Sequence, residues 1–562
     1  MSNLSYDLKK LYNEKKYDQI ISIIEKIDDN NLNSGLINLL GVCKSLSSNS
    51  PKTLKSAISD FRKAFLREKK TENALHALKN FINVSVDVFD IEYRAEKTDI
   101  DNNIKEIFLY FNENKDYFEK NDELVRALVR ALVRNKDISE SINYLKIIVE
   151  RNNSSVDALA SLIYFNNYIL DWDQKSFLDY GKKLDKRLTL YDPQKLKTVT
   201  GSDKKKIIVG IHSADIRSRH SITYFLKTIL TTYDKKKFKI YLYCGNEKDD
   251  ETTKDFSQYV DKTINIRKMS DLDVINLVRE DKVDILIDMM GMSSNHRLSL
   301  YKNRLAPKQI TWCGYCNTTG IKEMDYIVVD KNVVNQNEEN LYSEKMLYLD
   351  SIWNCHSGYD FNRKINAAPF LKNKFITFGS FNNCNKINDK VIKVWSSILK
   401  EIKNSKLLLK SSTAFLRSAM IKKFEAEGVV NSVEFLSFNK SVEEHLNQYK
   451  KIDIALDTFP HNGVTTSFEA IWMGVPVIAM KGHNFISRSG ESINKNLGLP
   501  ELISTNEGDY LKKAIQLSNN PKKLLEYRDY IYTNALNTPL FDKEKFSKQF
   551  FSALEKINKL NL

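Results

Sequence analysis

Over the first two hundred residues apolar side chains recur at intervals of three and four, with few Pro or Gly between them and no alternating runs, so the pattern predicts helices alone. Within this stretch "LLGVCKSL" is followed after a short loop by Ala57, Phe61 and Ala64, and Ser141, Leu145 and Ile148 repeat that spacing further on. Small-x3-large-x2-small is the second-helix pattern of a tetratricopeptide repeat, whose paired helices bury their faces by stacking. The spacing predicts a helical, TPR-like repeat region over 1–200, with a generic helical bundle as the other solution. From "KKKIIVGIHSAD" onward the pattern changes to short β-branched runs alternating with amphipathic helices. "IIVGIHS", "FKIYLYC", "VDILIDMM" and "YIVVD" read as buried parallel strands, and a second series follows in "FITFGSF", "KLLLKS", "VEFLSF", "IDIALD" and "VPVIAM". The expected fold class is therefore α plus α/β: the helical region, then two Rossmann-like domains over 206–365 and 366–562, the latter ending in helices.

Composition narrows this picture in three respects. A chain of 562 residues is long enough for several cores without covalent staples. Its six cysteines, of which only Cys313 and Cys316 are closely spaced, suit a reduced protein, so a cytoplasmic location is expected. The start "MSNLSYDLKKLYNEKK" lacks an apolar core, and no later run approaches the roughly 18 uncharged apolar residues of a membrane span. Lys plus Arg exceeds Asp plus Glu by 86 to 72, a net +14, but the lysines are scattered beside acids, as in "DKKKFK". This reads as solvated surface rather than a nucleic-acid face.

The candidate chemistry lies in the loops after predicted strands. In "KIDIALDTFPHNGVTTSFEAIWMGVPVIAM" a strand ends at Asp457, a turn passes through His461 and Gly463, and a helix opens at Val464, Thr465 and Thr466. Such a helix start offers unpaired N–H groups and a positive dipole end to phosphate, with hydroxyl donors beside it. Glu469, one turn on, is placed to accept from a ribose, or else to pair with a lysine. In "FITFGSFNNCNKIND" the polar loop carries Asn382, Asn383 and Lys386, where a lysine can neutralise a diphosphate. "HSADIRSRHSITYFL" puts Asp215, Arg217 and His220 after the first strand, and His445 in "SVEEHLNQY" is a second histidine, suited to stacking on a base. No metal requirement is expected: the Asp-x-Asp triplets at Asp99 and Asp271 fall in a helical segment and a surface loop, and no second cysteine pair completes a zinc site with Cys313 and Cys316. The Cys-x-x-Cys of "TWCGYCNTTG" has the spacing of a thiol oxidoreductase but not its own small βαβ setting.

Taken in order, "ADIRSRHSITYFL", "DILIDMMGMSSNHRL", "APKQITWCGYCNTTGIKEMDYIVVD", "FGSFNNCNKIND", "LDTFPHNGVTTSFEAIWMGVPVI" and "SRSGESINKNLGLPELI" resemble the protein O-GlcNAc transferases and SPINDLY-type glycosyltransferases over nearly all of 206–540. The resemblance implies a GT-B arrangement of the two Rossmann-like domains. It also implies an inverting transferase that moves GlcNAc from UDP-GlcNAc to Ser or Thr of an acceptor protein, without metal or other cofactor. The alternatives are a GDP-fucose-dependent protein O-fucosyltransferase and a non-catalytic repeat protein with a degenerate transferase domain. Residue by residue, it implies that Lys386 contacts the diphosphate and that Thr465 and Thr466 bind phosphate, with Val464 beside them in the nucleotide-sugar site. Asn383, Thr318 and Thr319 would join the donor site, Glu469 would hold ribose, His445 would lie against the base, and His220 with Asp215 would line the reaction centre. Cys313 and Cys316 stand where the family has Leu and Pro, Gly291-Met292 where it has Gly-His, and Val464 where it has His or Thr; His220 lies one residue further from Asp215 than in the family pattern.

Overall fold

The computed structural model describes residues 2–560 apart from 69–70, 95–100, 135–136, 153–154, 170–171, 203–204, 362, 364–366, 411–413, 438 and 440. Asp99 lies outside the described residues. The chain forms two compact units, Met1–Asn152 with Ser411–Lys422, and Asn153–Lys410 with Lys423–Leu562.

In the first unit, helices Ser34–Ser47, Pro51–Arg67 and Glu72–Arg94 pack in succession, as do Asp122–Arg134 and Ile138–Arg151. Local signals set the boundaries: Ser50 accepts from the Thr53 N–H and Pro51 occupies the first helical position, where its missing N–H costs nothing. Ala57, Phe61 and Ala64 are buried, and so are Ser141, Leu145 and Ile148, so the repeated spacing marks the faces that pack. Gly41 explains one contact, because a Cβ there would stand 2.7 Å from the Phe61 ring.

The second unit is built on two parallel sheets. The first contains β1 (Ile207–Ser213), β2 (Phe238–Cys244), β3 (Lys262–Asn265), β4 (Ile285–Asp288), β5 (Lys308–Thr311), β6 (Tyr326–Val329) and β7 (Lys345–Tyr348), in the order β3-β2-β1-β4-β5-β6-β7. The second contains β8 (Thr377–Ser380), β9 (Lys406–Lys410), β10 (Val433–Leu436), β11 (Ile454–Leu456), β12 (Val477–Met480) and β13 (Ile503–Ser504), in the order β10-β9-β8-β11-β12-β13. Strand order reverses between β1 and β4 and again between β8 and β11, and a doubly wound sheet opens its ligand crevice at the carboxyl side of such points. The loops carrying Asp215, Lys386 and Asp457 all leave from these strands. Four strands were not read from the sequence: β3, β5, β7 and β13. In "KQIT" the polar residues are buried because their groups are satisfied: Gln309 donates to the carbonyls of Tyr301 at 3.0 Å and Glu323 at 2.8 Å, and the Lys308 amine donates to the Leu560 carbonyl. Asp271 opens helix Asp271–Glu280 and pairs with Arg297, rather than lying in a surface loop.

Two helical segments complete this unit. The terminal helix Lys543–Asn558 returns to the first sheet, where Phe550 lies 4.8 Å from the Trp312 ring and Phe551 lies 4.7 Å from Phe238. Helices Val156–Asn166 and Gln174–Asp185 belong here as well, held by the "NTTG" turn after β5. Asn317 accepts from the Gln174 amide at 2.8 Å and donates to the Asn167 side chain at 3.0 Å. Gly320 meets Gly181 backbone to backbone: with φ at +72°, a Cβ on Gly320 would stand 2.2 Å from the Gly181 carbonyl carbon. Replacing Gly320 with Ala therefore combines left-handed strain with an unrelievable clash, and is expected to cost about 2–4 kcal/mol. A lowered thermal midpoint of the purified chain is the expected readout; an unchanged midpoint would contradict this packing. Among the described residues no helix is long and apolar enough to cross a membrane.

Candidate active site

The carboxyl ends of both sheets converge on a cavity of about 350 Å³. The first sheet contributes Asp215 and His220 after β1, Met289 and Ser293 after β4, and Cys313 to Cys316 after β5. Asn382, Asn383 and Lys386 come from the loop after β8, and His461 with Val464, Thr465 and Thr466 from the turn after β11. A wider groove of about 690 Å³ opens beside Thr377 and Lys406, at the amino ends of the second sheet. α/β sheets bind ligands at the opposite, carboxyl edge, so the smaller cavity is the candidate site.

Lys386 stands at the centre. Its ammonium donates to the Asn462 carbonyl at 2.9 Å and to Asn382 Oδ1 at 3.4 Å, and the same Oδ1 accepts the Thr466 hydroxyl at 2.9 Å. Burial lowers the lysine to about 8 against the upward pull of Asp457, and burial raises Asp457 to about 7. Asp457 Oδ1 accepts from the backbone N–H groups of Gly463 at 2.6 Å and Thr458 at 2.8 Å, which ties the turn to the end of β11. Helix Thr465–Trp472 then starts with Val464 at its N-cap and no side chain capping it. The Ser467 N–H donates to the Val464 carbonyl at 3.0 Å, but no side chain caps the N–H groups of Thr465 and Thr466 ahead of it, the condition for an anion site.

Across the cavity His220 Nε2 lies 3.5 Å from Asp215 Oδ1, and burial lowers the histidine below its ordinary value. His461 stacks on Tyr168 at 4.4 Å between ring centroids, and burial together with the Lys386 charge holds its imidazole neutral, well below the usual range. Helix Val156–Asn166 and its C-cap supply Tyr164 and Asn167 to the same wall, facing Tyr315. Cys313 and Cys316 are free thiols raised by burial, which makes them poor nucleophiles despite their spacing.

The sequence pattern of glycosyl transferase family 41 matches residues 183–359 and 363–550. The chain belongs to glycosyl transferase family 41. Among its relatives is the SPINDLY protein of Solanum lycopersicum, named a probable UDP-N-acetylglucosamine–peptide N-acetylglucosaminyltransferase, 32% identical over 419 residues that make up 73% of this chain and 44% of that protein. The SEC protein of Arabidopsis thaliana, named likewise, is 25% identical over 61% of this chain and 36% of its own length. This chain thus spans less than half of these relatives. A solved O-GlcNAc transferase from Thermobaculum terrenum superposes with a TM-score of 0.80 at 22% identity, covering 94% of this chain and 98% of that one. The fold is accordingly a helical region followed by two Rossmann-like domains of the GT-B type.

On this family 41 framework the residues expected from the sequence divide into three groups. Asp215, His220, Asn383, Lys386, Val464, Thr465 and Thr466 line one cavity. Asn383 does so while its side chain accepts from the Asn385 N–H at 3.1 Å, whereas its neighbour Asn382 makes the central bridge. His445 and Glu469 meet each other beside that cavity: His445 Nε2 lies 3.0 Å from Glu469 Oε2, which also accepts the Tyr449 hydroxyl at 2.8 Å, and the Lys410 amine contacts His445 Nδ1. Thr318 and Thr319 form the third group, outside the cavity lining. Both are fully buried and bound to the Glu344 carboxylate, Thr318 Oγ1 at 2.8 Å and the Thr319 N–H at 2.7 Å, so they hold the turn instead of facing the cavity. Met292 is buried outside the lining, and Met289 and Ser293 line the cavity instead. Sequence reasoning did not assign site roles to Asp457, Asn382, His461, Tyr164, Asn167 or Tyr315. The first three were visible as polar residues just beyond strand ends; Tyr164 and Asn167 sit in a helical run, where an aromatic or an Asn ordinarily signals packing.

Proposed function

We propose that this protein is an inverting glycosyltransferase that moves N-acetylglucosamine from UDP-N-acetylglucosamine to Ser or Thr hydroxyls of acceptor proteins. The observation that carries the reading is the pairing of Lys386 with an uncapped helix start in the crevice between two parallel sheets. The names of the SPINDLY and SEC relatives support the donor and acceptor classes. In this reaction the acceptor oxygen attacks the anomeric carbon, the bond from that carbon to the diphosphate oxygen breaks, and the nucleotide leaves with the electron pair. Lys386 and the N–H groups at Thr465 and Thr466 meet the charge that grows on the leaving diphosphate, the assistance a metal gives in other transferases. The hydroxyl proton passes to His220, to Asp215 or to a donor phosphate oxygen. Glu469 and His445 stand on the nucleoside side, where Glu469 would exchange its internal contacts for the ribose and His445 would lie against the base. The helical region, with its tetratricopeptide spacing, is the part we assign to choosing acceptors, and the six free thiols fit a reducing compartment, the cytoplasm.

Calorimetric titration with UDP and GDP in parallel, with EDTA present, tests this. UDP is expected to bind in the micromolar range or tighter, unaffected by the chelator, with GDP much weaker. A preference for GDP would replace GlcNAc with fucose as the sugar. Binding of neither nucleotide would overturn the transferase reading in favour of a scaffold.

A further inference from the structure

Asp457 is 1% exposed, and its Oδ2 has no hydrogen-bond partner although Oδ1 has several. A buried carboxylate oxygen left unpaired is costly, and such groups persist where they serve the site. Three lines of contact run outward from this residue. Oδ1 holds the Gly463 N–H, which sets the approach of the turn to helix Thr465–Trp472. Oδ1 also accepts the Asn382 amide at 3.4 Å, and Asn382 in turn presents its own oxygen to both Lys386 and Thr466. Finally, the negative charge itself faces Lys386.

We infer that Asp457 is a positioning residue for the transfer reaction: through Asn382 and the Gly463 N–H it holds Lys386 and Thr466 where the donor diphosphate binds, and its charge balances that of the lysine. This rests on the function proposed above and deepens it. The geometry makes one amide the shared acceptor for both phosphate-facing groups, so a shift of Asn382 moves them together. The electrostatics agree. Lys386 is faced by Asp457 from the end of β11, by His461 from the following turn and by Cys316 from the loop after β5. Asp457 is faced by Lys386, by Tyr449, and by Tyr510, whose hydroxyl donates to the Asp457 carbonyl at 2.9 Å. Burial lowers Lys386 to about 8, and of the two groups that raise it, Asp457 and Cys316, Asp457 has the larger effect. Removing the acid charge must therefore lower the lysine further, and cationic Lys386 is lost at a lower pH. Below about 7, where Asp457 itself takes up a proton, the substitution changes little.

UDP affinity measured by calorimetry from pH 6 to 9.5 on the full chain tests this with Asp457→Asn and Asn382→Ala. The amide oxygen of Asp457→Asn still accepts from Gly463 and Thr458, so the turn is kept and only the charge is lost. Its alkaline limb is expected to move down by about one unit, which makes UDP binding about tenfold weaker above the limb and within about threefold of the parent at pH 6.5. Asn382→Ala keeps the charge and removes the bridge, and is expected to weaken binding about tenfold at every pH without moving the limb. A limb that stays in place in a folded Asp457→Asn protein, with affinity lowered uniformly or not at all, would overturn the inference while leaving the proposed function standing. If Asp457→Asn fails to fold, Asn382→Ala decides, because parent-like affinity there excludes the bridge. A parent protein that binds no nucleotide overturns both.

Discussion

Replacing Lys386 with Met is expected to reduce turnover at least 10²–10³-fold and to abolish measurable UDP binding, while leaving the thermal midpoint of the apo protein unchanged or higher. The reduction follows from position: the ammonium sits among carbonyl and amide oxygens beside an uncapped helix start, and preorganised donors of this kind account for about 2.7–4 kcal/mol of transition-state stabilisation each. The thermal effect follows from the other side of the same fact. Burial already pushes the lysine down to about 8, which means that the folded protein carries a cation in surroundings that disfavour it. Met retains most of the aliphatic stem and removes the cost of keeping an ammonium away from water. Asp457, raised to about 7, can then take a proton instead of remaining an unpaired anion. Kinetics with a peptide acceptor and a thermal melt of the same preparation check both halves. Near-parent turnover in a folded protein would remove Lys386 from the mechanism.

Gly463→Ala should be nearly as damaging for a steric reason. A Cβ at this position would lie 2.5 Å from Thr466 Oγ1, 2.8 Å from Asp457 Oδ1 and 2.9 Å from Ser467 Oγ. None of these can yield alone, since Thr466 is bonded to Asn382, Asp457 to the glycine's own N–H and Ser467 to the glycine's carbonyl. The helix start must therefore back away from the cavity. A displacement near one ångström at a positioning element costs about 10²-fold in rate, whereas overpacking of this size costs about 1–3 kcal/mol of stability. The expected signature is a fall in kcat of at least about a hundredfold with a modest drop in melting temperature. Equal rates for parent and variant would show that the turn tolerates movement which the packing forbids.

The sequence carried the architecture because each level agreed with the next: the change from helical to strand periodicity near residue 206 is sharp, and nine of the thirteen strands among the described residues are apolar runs bounded by turns. The four unread strands fail that test for a physical reason, as in β5, where buried Lys308 and Gln309 look like surface residues until their tertiary partners are known. The candidate site was legible where chemistry sits just past a strand's carboxyl end, at Asp215, Lys386 and Thr465–Thr466. It was illegible where long-range packing decides which of two adjacent polar residues turns inward. Asn382 and Asn383 are indistinguishable in sequence, yet one is buried at the centre of the network and the other is exposed at its edge. Thr318 and Thr319 show the same limit: Glu344, the carboxylate that holds them in the turn, lies 25 residues beyond Thr319 and no local pattern announces it.

The back-to-back glycines at 181 and 320 bear on how such a protein can change over time. Gly320 closes the turn that grips helix Gln174–Asp185, and the neighbouring helix places Tyr164 and Asn167 on the cavity wall. The last helix pair before β1 is thus part of the cavity's own walls, and a change at either glycine is one that the site itself has to absorb.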